Sequence, residues 1–111
     1  EKTMIPSVKV SADKNPDYST SSGKATQDRL FLLSVKEMNK YLSSNSKRRC
    51  KSTDYAVANG AKGNYCSWWL RSPGAYQSYA TEVFSTGEIY TKGGGVGAIG
   101  AVRPAMWISL A

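Results

Sequence analysis

Cys66–Arg71 reads CSWWLR, and Ser72-Pro73-Gly74 follows it directly. Two adjacent tryptophans and a leucine leave neither face of an extended chain polar, so the segment reads as a central strand covered on both sides. Pro73-Gly74 then ends it, since proline withholds a ladder donor and glycine turns the chain. Neighbouring strand residues point to opposite faces. One of Trp68 and Trp69 is therefore expected to pack inward and the other to lie under a loop.

Working outward, the runs TEVF and EIYT alternate around Val83 and Ile89 and are joined by Ser85-Thr86-Gly87, which predicts a hairpin with glycine in its turn. Lys92–Gly100 reads as a glycine-rich loop. Ala101–Leu110 (AVRPAMWISL) is expected to close the sheet as a final strand, with Pro104 at a bulge or edge and Trp107 in the core beside the other two tryptophans.

Upstream of the central strand the periodicity changes. Asp28–Leu33 (DRLFLL) reads either as a buried strand or as the approach to a helix. Ser34 and Glu37 fit a capping box, in which the hydroxyl accepts the Glu37 amide and the carboxylate reaches back to the Ser34 amide. Val35, Met38, Tyr41 and Leu42 follow at helical spacing and predict an amphipathic helix over 35–43. A second short helix is expected from about Thr53 to Gly60, with Asp54 favourable in its first turn. Ile5–Val10 suits a short edge strand. Ser11–Gln27 lacks periodicity and reads as a long loop, with Tyr18 as its anchor to the body.

Together these readings predict a single α+β domain over residues 1–111. Two short helices pack on a small, twisted, mainly antiparallel sheet with long irregular loops. No stretch approaches the ~20 apolar residues that a membrane-spanning helix needs, so no membrane insertion by this segment is expected.

The chain contains no histidine and only two cysteines, Cys50 and Cys66, which are not in a C-x-x-C arrangement. Histidine-based triads, structural zinc, iron–sulfur clusters and thioredoxin-like chemistry are thereby disfavoured, and no metal or other cofactor is expected. The two cysteines are read either as a disulfide across the second helix or as two free, buried thiols. The net charge of +7 has one dense source, Lys47, Arg48, Arg49 and Lys51, in a Ser/Asn-rich stretch. It reads as a solvated loop, the alternative being a nucleic-acid or anion patch.

Gly95–Gly100 spells G-x-G-x-x-G, but a strand is expected after it where a dinucleotide site needs a helix, so it reads as a flexible loop. Arg71 and Arg103 lie in apolar strands and are expected to be structural, with Asp28, Glu37 and Asp54 as the available acids. The remaining candidates cluster in the second half: Tyr76, Gln77, Tyr79, Glu82, Phe84, Glu88, Tyr90 and Lys92. Tyrosines among mixed polar neighbours compose either a recognition surface or an ordinary hairpin with one wet face. Tyr76, Tyr79, Phe84 and Tyr90 are the expected principal contacts. No catalytic residue is expected, the rival being an acid–base pair of Glu82 and Glu88.

The phrases NPDYSTSSG, DRLFLLS, RRCKSTDYAVANGA, CSWWLRSPG and VRPAMWI, in that order, resemble an uncharacterised bacterial surface-protein domain family with a C-type-lectin-like, formylglycine-generating-enzyme-like fold. The resemblance runs from about Asn15 to Leu110. It implies an extracellular or cell-surface location, or a phage particle, and a protein or glycan ligand. Related variable proteins of diversity-generating retroelements carry their binding face between a Trp-rich strand and a final strand, here Ala75–Ala101. Tyr76, Tyr79, Phe84 and Tyr90 fit adenine-directed variation of Asn codons; Gln77, Glu82, Glu88 and Lys92 do not. The Glu-Pro-Asn and Trp-Asn-Asp phrases of calcium-dependent lectins are absent, and neither cysteine has the context of a formylglycine-generating enzyme. Such an enzyme is the alternative reading. Because the sequence opens at Glu1 and related domains have a helical segment upstream, an excised part of a longer product is expected.

Overall fold

In a computed structural model, residues 4–110 are described. The central strand is present as β5 (Trp68–Pro73), and its burial alternates strictly: Trp68, Leu70 and Ser72 face inward, while Trp69, Arg71 and Pro73 are half-buried. It pairs antiparallel with β6 (Tyr79–Val83), which pairs antiparallel with β7 (Ile89–Gly95), giving a three-stranded sheet in the order β5-β6-β7. Both ladders slip in register around Thr81. The hairpin turn packs so closely on the neighbouring chain that a Cβ at Gly87 (φ +91°) would sit 2.0 Å from the Asn45 carbonyl oxygen. Only glycine meets both demands.

One helix closes the inner face. α1 (Val35–Tyr41) begins with the expected capping box on Ser34 and Glu37. The Val35 amide, an orphan donor of the first turn, donates to the Ser72 hydroxyl at 3.1 Å, and the Thr81 hydroxyl donates to the Ser72 carbonyl at 2.8 Å. These bonds satisfy polar groups inside the core. Val35 and Met38 then pack on Trp68, Leu70 and Val83 to form that core.

Two small ladders flank the sheet. β1 (Val8–Val10) pairs with β2 (Thr26–Asp28), and β3 (Cys50–Lys51) with β4 (Tyr65–Cys66). Between the latter lies α3 (Asp54–Ala58), capped by Thr53 and closed past Asn59 by Gly60 at φ +111°. The architecture is α+β with three short helices, one more than the sequence predicts. The extra one is α2 (Asn45–Arg48), capped by Ser44, inside the stretch read as a loop. Among the described residues no helix is long and apolar enough to cross a membrane.

Several expectations need correction. Ala101–Leu110 is not a strand. It touches the sheet through one isolated bridge, Trp68 with Ala101, and the segment ahead of α1 through another, Phe31 with Ala105. Pro104 stands between them and cannot donate to a ladder. Trp107 is consequently 50% exposed, lying edge-on to Tyr41 at 6.1 Å rather than in the core. Of Asp28–Leu33, only Asp28 joins a strand and Phe31 makes a bridge, while Leu30 is exposed. Lys92–Gly95 and Thr26–Gln27, both read as loop, belong to β7 and β2.

The long loop is anchored by Asn15, not by the exposed Tyr18. Buried Asn15 donates to the carbonyls of Pro73 (2.8 Å) and Thr91 (2.6 Å) and accepts from the amides of Asp17 and Tyr18. Arg71 does find acids: it bridges Glu37 and, at 3.3 Å, Asp13, and donates to the carbonyls of Leu32 and Ser11. Arg103 finds none. Its guanidinium lies over the Trp68 ring, 5.0 Å from the centroid, with one buried N–H unpartnered among the described residues. A cation over an indole face takes the place of the acid.

Candidate functional site

The outer face of the sheet is built by the register. Trp69 on β5 stands opposite Glu82 on β6, and Glu82 stands opposite Tyr90 on β7. One carboxylate thus lies between an indole and a phenol in a row across three strands, each within cross-strand contact range. Phe84, just past the end of β6, packs on Tyr90 with ring centroids 4.7 Å apart. All four side chains are half-buried. Gly94 borders the row: a Cβ there would lie 2.5 Å from a Glu82 carboxylate oxygen and 3.5 Å from the Trp69 ring. Gly100 lies over the indole, where a Cβ would come within 2.3 Å of Trp69 Nε1. Trp68 is therefore the inward tryptophan, and Trp69 lies under the glycine-rich loop.

Glu82 makes no hydrogen bond and no ion pair among the described residues. Burial alone raises its carboxyl above the ordinary glutamate range. An acid held among aromatic rings without a partner is unfavourable for stability, and such groups concentrate at functional sites. A second carboxylate does not contribute. Glu88 is exposed at the turn, where its carboxylate accepts from the Thr86 hydroxyl at 3.1 Å.

The eight residues singled out from sequence do not form one cluster. Glu82, Phe84 and Tyr90 share the outer face, with Glu88 beyond them at the hairpin turn. Tyr76, Gln77 and Tyr79 gather at the β5–β6 turn, where Tyr76 and Tyr79 meet edge-to-face at 5.1 Å and Gln77 donates to the Ser21 carbonyl at 3.4 Å. Tyr79 and Phe84 lie five residues apart, roughly 16 Å along an extended chain. Lys92 is exposed on β7. None of the four aromatics is buried; Tyr76 is 58% exposed and the other three are half-buried. Sequence reasoning missed Trp69 as a member of the face. Its pairing with Glu82 depends on how the strands align across the sheet, and alternation within one strand gives no warning of that.

The basic cluster is partly occupied. Arg48 donates to the carbonyls of Gly87 (2.8 Å) and Leu42 (2.9 Å) and to the Asn45 side chain (2.6 Å). Arg49 stacks 3.7 Å from the Tyr65 ring centroid. Among the described residues only Lys47 and Lys51 of the four are exposed cations with no side-chain partner, which is a poor stripe for a phosphate backbone. The G-x-G-x-x-G stretch begins at the end of β7 and runs to Ala101 without a following helix, so it lacks the helix N-terminus a dinucleotide site uses.

A separate cavity of about 830 Å³ opens between α3 and the 99–102 segment, with Tyr55, Tyr65, Ile99, Cys50 and Cys66 on its walls. Both cysteines are free thiols; Cys66 is buried and Cys50 half-buried.

No curated protein and no solved structure matches this chain. One family model does, over residues 1–110, and its description is a domain of unknown function, DUF6273. The chain therefore belongs to the DUF6273 family.

Proposed function

We propose that this domain is a non-catalytic recognition module of C-type-lectin-like fold, carried by a bacterial surface, extracellular or phage-particle protein. It binds a protein or glycan on the outer face of β5–β7. The observation that carries the reading is the unpartnered Glu82 carboxylate set between Trp69 and Tyr90. Ring faces offer apolar contact area at low conformational cost, and a desolvated carboxylate accepts hydrogen bonds from sugar hydroxyls or from the amide and cationic groups of a protein. A row of side chains spanning three strands suits an extended ligand better than an enclosed small molecule. The Tyr76–Tyr79 pair at the β5–β6 turn supplies a second contact point for a ligand that spans the sheet.

Binding to arrays of immobilised glycans and of surface proteins tests this directly. At least one ligand is expected whose affinity falls tenfold or more in Tyr90→Ala and Glu82→Ala, a loss of about 1.4 kcal/mol or greater. Ligands that bind both variants as well as the parent chain would place recognition elsewhere. A reverse transcriptase gene beside a near-copy of the Ala75–Ala101 coding region would identify the domain as a diversified binder.

A further inference from the structure

The cysteines occupy a position that spacing alone did not reveal. Cys50 and Cys66 are direct cross-strand partners in the β3–β4 ladder. Directly opposed residues of an antiparallel pair have Cα atoms about 4.5–5.5 Å apart, inside the range that a disulfide spans. The two thiols also sense each other. Burial is the main influence raising the Cys50 thiol, and the charge and hydrogen bonding of Cys66 act on it as well. The Cys66 thiol points back across the ladder, 3.7 Å from the Cys50 carbonyl oxygen.

Access and consequence differ between the two. Both line the 830 Å³ cavity, so a small molecule entering it meets them. Cys50 is the more exposed of the pair and Cys66 is buried. The chain between them carries α3, which has no buried residue and is held at its base by two ladder pairs and the Ser52 amide donating to the Asn64 carbonyl at 2.8 Å. A covalent link at that base would restrain a segment that packing holds weakly.

We infer that Cys50 and Cys66 form a thiol–disulfide exchange site whose oxidation by a small aliphatic disulfide locks the α3 segment. In the first step the Cys50 thiolate attacks one sulfur of the oxidant, making a mixed disulfide and expelling one thiol. The Cys66 thiolate then attacks the Cys50 sulfur, forming the cross-strand bond and expelling the second thiol. The protein dithiol loses two electrons and two protons, and the small disulfide becomes two thiols. The site is distinct from the sheet's outer face, so it does not depend on the recognition reading.

The test uses the full chain, fully reduced and then incubated with oxidised glutathione. The expected product is a monomer lighter by two hydrogens, in which peptide mapping joins Cys50 to Cys66. Its Tm should stand about 10 °C above that of the reduced chain, as expected for closing a loop of about 15 residues in a small domain. Cys66→Ser should instead accumulate a single glutathione adduct on Cys50. Two glutathione adducts on the parent chain, two thiols still open to alkylation, a disulfide-linked dimer, or a crosslinked monomer that melts no higher would each overturn the inference. The parent-chain measurement stands by itself if the variant does not fold.

Discussion

Replacing the Glu82 carboxylate with an amide separates two effects that one side chain combines. Burial disfavours the charged form, so the folded-state carboxyl ionises at a higher pH than in the unfolded chain. The stabilisation associated with its neutral form is present below the ordinary glutamate range and is lost as pH rises through the raised value. At neutral pH the group is therefore a burden on the fold. Glu82→Gln is expected to raise Tm at pH 7, with the gain vanishing below about pH 4, where the parent carboxyl is already protonated. The same substitution should weaken binding to any ligand the outer face recognises. A variant that melts no higher at neutral pH would show that the carboxylate has a stabilising partner in solution.

At the scale of elements, Trp68 at the start of β5 and Trp107 in the closing segment behave differently. Trp68 is 1% exposed, packs in the core and donates its indole N–H to the Arg48 carbonyl at 3.0 Å. Trp107 is half exposed and lies edge-on to Tyr41. Urea unfolding should accordingly show Trp68→Ala destabilised by about 3–5 kcal/mol and Trp107→Ala by about 1 kcal/mol or less. Comparable losses would mean that the closing segment is part of the core after all. Sequence could separate them only partly. The CSWWLR strand, the hairpin around Gly87 and the Ser34/Glu37 capping box were legible because each is a local pattern with a local cause. The closing segment was not: AVRPAMWISL has strand composition, but among the described residues it makes only isolated bridges at Ala101 and Ala105. α2 escaped because four polar residues have no apolar periodicity to read, and its support is Arg48 reaching the distant Gly87 carbonyl. Of the candidate site, residue types were legible and grouping was not, since the register between strands decides which side chains share a face.

For the whole molecule, one guanidinium gathers three regions. Arg71 on the sheet reaches Glu37 of the helix and Asp13 of the long loop, and Ser34, the helix cap, donates to Asp13 at 2.6 Å. Burial pushes the Asp13 carboxyl up, but hydrogen bonds from Ser34 and Ser11 and the Arg71 charge outweigh it and hold the group below its ordinary value. A carboxyl depressed in the folded state adds stability above its unfolded pKa, about 3.9, and that stability is lost as pH falls through the folded value. Asp13→Asn should therefore lower Tm at pH 7 and lose less stability than the parent chain on acidification. An unchanged acid profile would assign the loop's attachment to Asn15 and the loop's other hydrogen bonds rather than to Asp13.

Asn15 also imposes an order on events during synthesis. Its amide is satisfied by carbonyls 58 and 76 residues further along the chain. While the ribosome is still extending the chain toward Thr91, the side chain that will anchor the loop has nothing to hold. Contacts of such sequence separation close late and slowly. The segment around Asn15 is thus among the first parts of the described chain to be made and among the last to be secured, and through that interval it stays open to proteases and to other chains.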